Sequence, residues 1–306
     1  MSAASGLTSL VDRIEALIQV DVGRNIGPLF EATRGGLAAA AAALAGPAAK
    51  AVGIITGFYV PQGSPPAAET DGPLGAGLLA RGIGALGLRC RLATDEPCRS
   101  ACAAALAAAG AADAAMDVAA LGAGVEGLVA RWRAAGISHA ISIERCGRSR
   151  DGSPRNMRGV DIGAHMVLLD DLFIAGPWET IAIGDGGNEI GMGALPRALI
   201  AANVAHGDKI ACTTPARHLI VAGVSNWGAY ALLGALAALR AEKRAALLAA
   251  LDEGLDRRIL ERMVSDGPAV DGVTRLPNLT VDGFDPERHH RVLRKIRALV
   301  EADDAA

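Results

Sequence analysis

The chain has 306 residues, room for one large domain or two small ones, with 30 basic and 33 acidic side chains and a formal net charge of −3. The charges are mixed along the sequence and form no basic stripe, which argues against a nucleic-acid partner. The start lacks a basic segment followed by an apolar core, so no signal peptide is expected.

In chain order, residues 7–20 are predicted to form an amphipathic helix, 23–27 a turn and 28–45 an Ala-rich helix. These make up a helical N-terminal arm (1–48) on a catalytic core (49–306), within a single α/β domain spanning 1–306. Strands are expected at 51–57, 88–93, weakly at 113–118, and at 138–143 and 179–183. Helices are expected from Asp71-Gly72-Pro73 to about Leu86, from Asp95-Glu96-Pro97 to near Gly110, and over 125–135, with Asp71 a plausible cap. A further helix, continuous or broken, is expected from Asn188 past Pro196, followed by strands at 210–213 and 219–221. Asp285-Pro286 opens a final amphipathic helix, which carries His289-His290 on a solvated face. Strands alternating with helices predict a three-layer α/β fold, a mostly parallel sheet with helices on both faces.

Residues 218–239 are almost continuously apolar and about long enough to cross a bilayer. Ser225, Asn226, Gly228 and the abundance of Ala predict instead a buried strand turning into a buried helix, with no membrane partner. The five cysteines, Cys90, Cys98, Cys102, Cys146 and Cys212, are irregularly spaced, which suggests reduced packing thiols and a cytoplasmic protein.

Three acid-rich segments carry the chemistry. Gly184-Asp185-Gly186-Gly187-Asn188-Glu189-Ile190-Gly191-Met192-Gly193 follows the apolar run 180–183. Glu144-Arg145-Cys146-Gly147-Arg148, continuing to Asn156-Met157-Arg158-Gly159-Val160-Asp161, follows the run 140–143. Glu69-Thr70-Asp71-Gly72-Pro73 lies beyond the strand at 51–57. Ligands of open α/β sheets bind beyond the carboxyl ends of the strands, so all three segments are expected to open onto one edge. The candidate acids are Glu69, Asp71, Glu144, Asp161, Asp185 and Glu189, and the candidate cations are Arg145, Arg148 and Arg158. Carboxylates about 4 Å apart repel by roughly 4 kcal/mol at an effective dielectric near 20, so a group of them must protonate, pair with Arg or hold a metal. Oxygen ligands without His suit Mg²⁺ or Mn²⁺ better than Zn²⁺. The structural alternatives are helix caps at Asp71 and Asn188 and a buried Glu144–Arg158 pair. The glycine loop fails the dinucleotide spacing, and no phosphate-binding P-loop occurs.

The same segments resemble the D-glutamate cyclases, specifically the domain that forms the C-terminal part of longer members. Ile54-Ile55-Thr56-Gly57-Phe58 and Ala222-Gly223-Val224-Ser225-Asn226-Trp227-Gly228 add to the match. The resemblance implies a hydro-lyase of D-amino acid metabolism that closes D-glutamate to 5-oxo-D-proline with loss of water, assisted by Mg²⁺ or Mn²⁺. On that reading Asp185 and Glu189, with Asp161 or Glu144, hold the metal. Glu69 or Asp71 takes the ammonium proton, and Arg145 or Arg158 clamps the α-carboxylate. Thr56, Asn156, Asn188 and Asn226 orient the substrate, and the glycines let backbone N–H groups approach the oxyanion. The expected partner is a small amino acid, with a homo-oligomer conceivable. Another metal-dependent hydrolase or lyase of a small amino acid or lactam, and a non-catalytic amino-acid-binding module, are the competing readings.

Overall fold

The computed structural model describes residues 2–304. Its centre is a six-stranded, wholly parallel sheet. In chain order the strands are β1 (Ala51–Ile55), β4 (Arg89–Asp95), β5 (Ala115–Ala119), β6 (His139–Ile143), β7 (Glu179–Gly184) and β8 (His218–Val221). A two-stranded antiparallel hairpin, β2 (Tyr59–Val60) and β3 (Ala67–Ala68), follows β1. The spatial order is β5-β4-β1-β6-β7-β8, so the chain reverses direction between β1 and β6.

Helices cover both faces, giving the expected three layers. On one face α3 (Gly36–Ala45), α4 (Pro73–Ala85), α5 (Arg99–Ala108) and α10 (Ser225–Leu239) pack on the sheet, and α1 (Ser2–Ile18), α11 (Arg244–Leu248), α12 (Glu253–Ser265) and α13 (Pro286–Asp304) pack on those helices, all sharing one apolar core with Val52, Ile54, Ile141 and Ile183. On the other α2 (Gly27–Ala32), α6 (Glu126–Ala134), α7 (Asp170–Ile174), α8 (Arg197–Asn203) and the single turn α9 (Gly207–Ile210) pack on Ala51, Ile55, Ala140 and Ala182. The alternation along β1 is the period-two signature of a strand buried on both sides. Gly53 supplies the one gap in it, because a Cβ there would lie 2.3 Å from the Trp132 indole.

The N-terminal helices α1, α2 and α3 pack into the cores of the sheet. Leu10, Val11, Ile14 and Ile18 of α1 are buried in the same core as α10 and α13. The helix expected over 28–45 is two helices, α2 and α3, separated where Gly35 adopts φ 84°. No helix forms at 188–196. Gly187 and Gly191 sit at φ 102° and 106°, and regular helix resumes as α8 only after Pro196. Residues 210–213 are likewise not a strand, since α9 ends there.

The apolar run 218–239 is β8 followed by α10, both buried. No helix among the described residues is long and apolar enough to cross a membrane. His289 and His290 are buried rather than solvated: His289 Nδ1 meets Trp227 Nε1 at 2.8 Å and His290 Nε2 meets Asp256 at 3.0 Å. The helical period put them on the wrong face because α13 packs against α1, α10 and α12 at once.

Candidate active site

The carboxyl ends of β1, β6, β7 and β8 meet at the point where the strand order reverses. Open α/β sheets bind ligands at such a point. β1 leads through the hairpin to Asp71, β6 ends directly in Glu144, β7 runs into Asp185, and the turn after β8 brings Ser225 to the start of α10. Asp71, Glu144 and Asp185 are all buried and can each offer an oxygen within 4.8 Å of the other two. They sit beside a cavity of about 330 Å³ whose lining includes Glu69, Glu144, Asp185, Asp282, Arg24 and Arg158. Phe58, Tyr59 and Met157 contribute apolar wall.

Local backbone explains how the acids come so close. Glu144 has φ 42°, in the left-handed region that non-glycine residues rarely adopt. Such strain is typical where a strand end must turn a side chain into a site. Gly72 has φ 90°, and a Cβ on it would lie 2.8 Å from the Cβ of Glu144 and 2.9 Å from Thr56 Oγ1. Only glycine lets the Asp71 loop press this tightly onto β6.

The N-terminus of α10 braces the cluster. Ser225 N–H donates to Asp71 Oδ2 at 3.1 Å and to Asp185 Oδ2 at 3.0 Å, and Asn226 N–H donates to Asp71 Oδ1 at 2.9 Å. Ser225 Oγ donates to Glu144 Oε2 at 2.5 Å. The positive end of the helix dipole therefore faces three carboxylates, a favourable but partial compensation. Arg24 supplies a full charge, with Nη1 3.0 Å from Asp185 Oδ2 and Nη2 2.9 Å from Asp282 Oδ2.

The remaining excess of negative charge shows in the proton affinities. Burial first, then Asp185 and the other nearby carboxylates, pushes Glu144 well above the ordinary carboxyl range. Burial does the same to Asp185 against the opposing pull of Arg24, and Glu69 is raised by burial and by Asp282 and Asp71. Asp71 is raised to about 7 by burial and Asp282. A buried, acceptor-only oxygen set of this kind suits a hard divalent cation, Mg²⁺ or Mn²⁺, and at neutral pH it must otherwise carry protons.

The structure brings only some of the expected residues together. Glu69, Glu144, Arg158, Asp185, Asn156 and Asn188 line the cavity, and Asp71 lies beside it among the three clustered acids. Glu189 does not face the cluster as a free ligand: its carboxylate accepts the N–H groups of Asp185, Gly186 and Gly187 at 3.0, 2.6 and 2.7 Å. Those amides are thereby taken, so they are not open to an oxyanion as expected. Asp161 is exposed and accepts from Gly163 N–H at 2.8 Å, away from the three acids. Arg145 is fully buried and donates to Gly57 O, Asp95 Oδ2 and Val167 O at 2.6, 2.5 and 2.5 Å, so it braces the β1 loop and does not reach the cavity.

Asn226 also serves the frame, its Oδ1 accepting from Gly72 and Gly75 at the start of α4. Thr56 is buried beneath Gly72, outside the cavity wall. Asn156 Oδ1 holds its own loop through Arg158 N–H and Val160 N–H, and Asn188 Nδ2 donates to Arg155 O. Glu144 pairs with Ser225, not with Arg158; Asp71 accepts from α10 and does not cap α4, whose N-cap Gly72 has no side-chain bond, and Asn188 starts no helix to cap. Cys146 is buried, and burial and Cys212 push its thiol well above the usual range, which fits inert packing.

The sequence matches the D-glutamate cyclase-like, C-terminal family over residues 14–297, a span that contains every group just described. The chain belongs to that family. It is 33% identical over 249 residues, 76% of its length, to the human protein named D-glutamate cyclase, mitochondrial. The match covers 40% of that longer protein.

Three groups that complete the site were not foreseen from the sequence of this family member. Arg24 falls in a turn between helices, Ser225 in an apolar run, and Asp282 in a C-terminal loop. Arg24 was detectable only as a lone cation in a Gly-Arg-Asn turn. Asp282 is at φ 54°, which no sequence pattern announces.

Proposed function

We propose that the protein closes D-glutamate to 5-oxo-D-proline with loss of water. The single observation that carries this reading is the convergence of Asp71, Glu144 and Asp185 beside a cavity that Glu69 and Arg158 also line.

Ring closure joins the α-nitrogen to the side-chain carboxyl carbon and breaks one of its C–O bonds. Two protons leave the ammonium, and the departing oxygen takes up both as water. Glu69 suits the first transfer: it lines the cavity, and burial raises its proton affinity well above the ordinary carboxyl range. Asp71, held by Ser225 and Asn226 amides, is better placed to keep its partners in position than to move a proton. Arg158 at the cavity wall pairs with the substrate α-carboxylate, bidentate by preference. Asn156 and Asn188 border the same space. Holding amine and carboxyl carbon together in the cavity is itself a large contribution to the rate.

The oxygens of Asp71, Glu144 and Asp185 fit a divalent cation, which when bound would polarise the substrate carboxyl group and offset its negative charge. The human relative's name supports D-glutamate as the first substrate to try.

The test is incubation of purified protein with D- or L-glutamate and Mn²⁺, following 5-oxoproline by chiral chromatography. Formation of the D-lactam by the wild type, and its loss in a folded Glu69→Gln variant, is expected. No lactam from either enantiomer would reject the reading.

A further inference from the structure

Arg24 presents a conflict that the cation reading leaves open. Its side chain is four-fifths buried and occupies the cavity wall beside the acids. Asp21 aims it there, because Asp21 Oδ1 accepts the N–H groups of Gly23 and Arg24 at 2.9 and 2.8 Å and fixes the turn. From that turn Nη1 reaches Asp185 Oδ2 and Gly223 O, each at 3.0 Å, while Nη2 reaches Asp282 Oδ2 at 2.9 Å. One oxygen of Asp185 thus serves both Arg24 and Ser225 N–H. A divalent cation on Asp185 would stand within a few ångströms of a fixed guanidinium charge, and like charges at that separation repel by several times the thermal energy.

We propose that Arg24 is a displaceable internal counter-ion: it neutralises Asp185 until a divalent cation enters, then releases Asp185 while Asp282 keeps it tethered at the cavity. This inference rests on the cation reading of the Asp71–Glu144–Asp185 cluster and adds to it a residue that opposes cation binding. Arg24 is a positioning residue in this scheme. Its two carboxylate partners explain why it can let go of one without leaving the site. The released guanidinium faces the cavity of about 330 Å³, so its departure from Asp185 adds a cationic contact to the pocket.

The experiment measures Mn²⁺ binding by electron paramagnetic resonance titration in the full chain, with no substrate present. Arg24→Gln is expected to bind Mn²⁺ about tenfold more tightly than the wild type, and Arg24→Lys, which keeps the charge, close to the wild type. Millimolar guanidinium added to Arg24→Ala should weaken its Mn²⁺ binding again, an effect that a merely structural role would not produce. In the wild type, Mg²⁺ titration followed by nuclear magnetic resonance of arginine side chains should move the Arg24 Nε–H signal, a readout independent of whether the variants fold. Unchanged or weaker Mn²⁺ binding in folded Arg24→Gln, an unmoved Arg24 signal, or no binding in either protein would overturn the proposal. Turnover of D-glutamate is measured separately, so an Arg24 result of either sign does not stand in for the cyclase test.

Discussion

Ser225 Oγ donates to Glu144 Oε2 at 2.5 Å, joining the start of α10 to the end of β6 across 81 residues of sequence. That bond ties Glu144, whose backbone is strained, to the same residue whose N–H serves Asp71 and Asp185. Ser225→Ala should leave the fold intact, because Ser225 N–H still serves Asp71 and Asp185. It should weaken Mn²⁺ binding and lower turnover. Losing one hydrogen bond to a charged group amounts to about 1.5–3 kcal/mol, roughly ten- to a hundredfold in the Mn²⁺ dissociation constant. Isothermal titration with Mn²⁺ checks the first expectation, and an unaltered constant would contradict it.

Glu189 separates a brace from a ligand. Its carboxylate accepts three successive amides of the glycine loop, and glutamine would set an N–H₂ donor against at least one of them. Glu189→Gln should therefore cost about 1–3 kcal/mol of stability, read as a lower thermal midpoint in metal-free buffer. A ligand at this position would instead show unchanged metal-free stability and abolished cation binding.

The two arginines of the acid-rich loop should part company. Arg145 pairs with Asp95 in the fully buried interior, and removing one partner of such a pair costs about 3–5 kcal/mol. Arg145→Ala is expected to express poorly or unfold early in urea. Arg158→Ala, at the cavity wall, should fold normally and raise KM for the amino acid more than it lowers kcat. Equal stabilities of the two variants would contradict the assignment.

Protons and cation compete for the same oxygens. Burial lifts Glu69, Glu144 and Asp185 well above their ordinary values and Asp71 to about 7, so the folded chain retains protons that the unfolded chain has released. For a raised carboxyl the stabilising contribution is full below the unfolded value and is lost as pH rises through the folded one. The thermal midpoint in chelator should accordingly fall from about pH 5 to about pH 8, and Mn²⁺ should restore more at the higher pH, where its ligands are deprotonated. Differential scanning calorimetry at both values, with and without Mn²⁺, reads the effect. A Mn²⁺ increment larger at the acidic end would contradict it.

Much of the architecture was legible because strand-like apolar runs alternate with helical ones, and each acid-rich loop follows such a run. The switch point then brings Asp71, Glu144 and Asp185 together from three separate loops. Within one loop the resolution fails. Asp185 and Glu189 sit four residues apart in the same glycine-rich motif, yet one borders the cavity and the other turns back on its own backbone. Arg145 follows Glu144 directly, yet beyond the end of β6 and past the left-handed turn at Glu144 it is buried against Asp95. The helix expected after Asn188 failed because two glycines at positive φ fold that segment onto residues near Pro215. The roles of Arg24, Ser225 and Asp282 could not be assigned because they arise from contacts between distant parts of the chain.

The most direct test of the account is anomalous diffraction at the manganese edge from crystals grown with Mn²⁺ and 5-oxo-D-proline. One strong peak bound by oxygens of Asp71, Glu144 and Asp185, with the lactam in the adjoining cavity, is expected. A peak held instead by Glu189 or Asp161, or a lactam bound away from these three carboxylates, would contradict it.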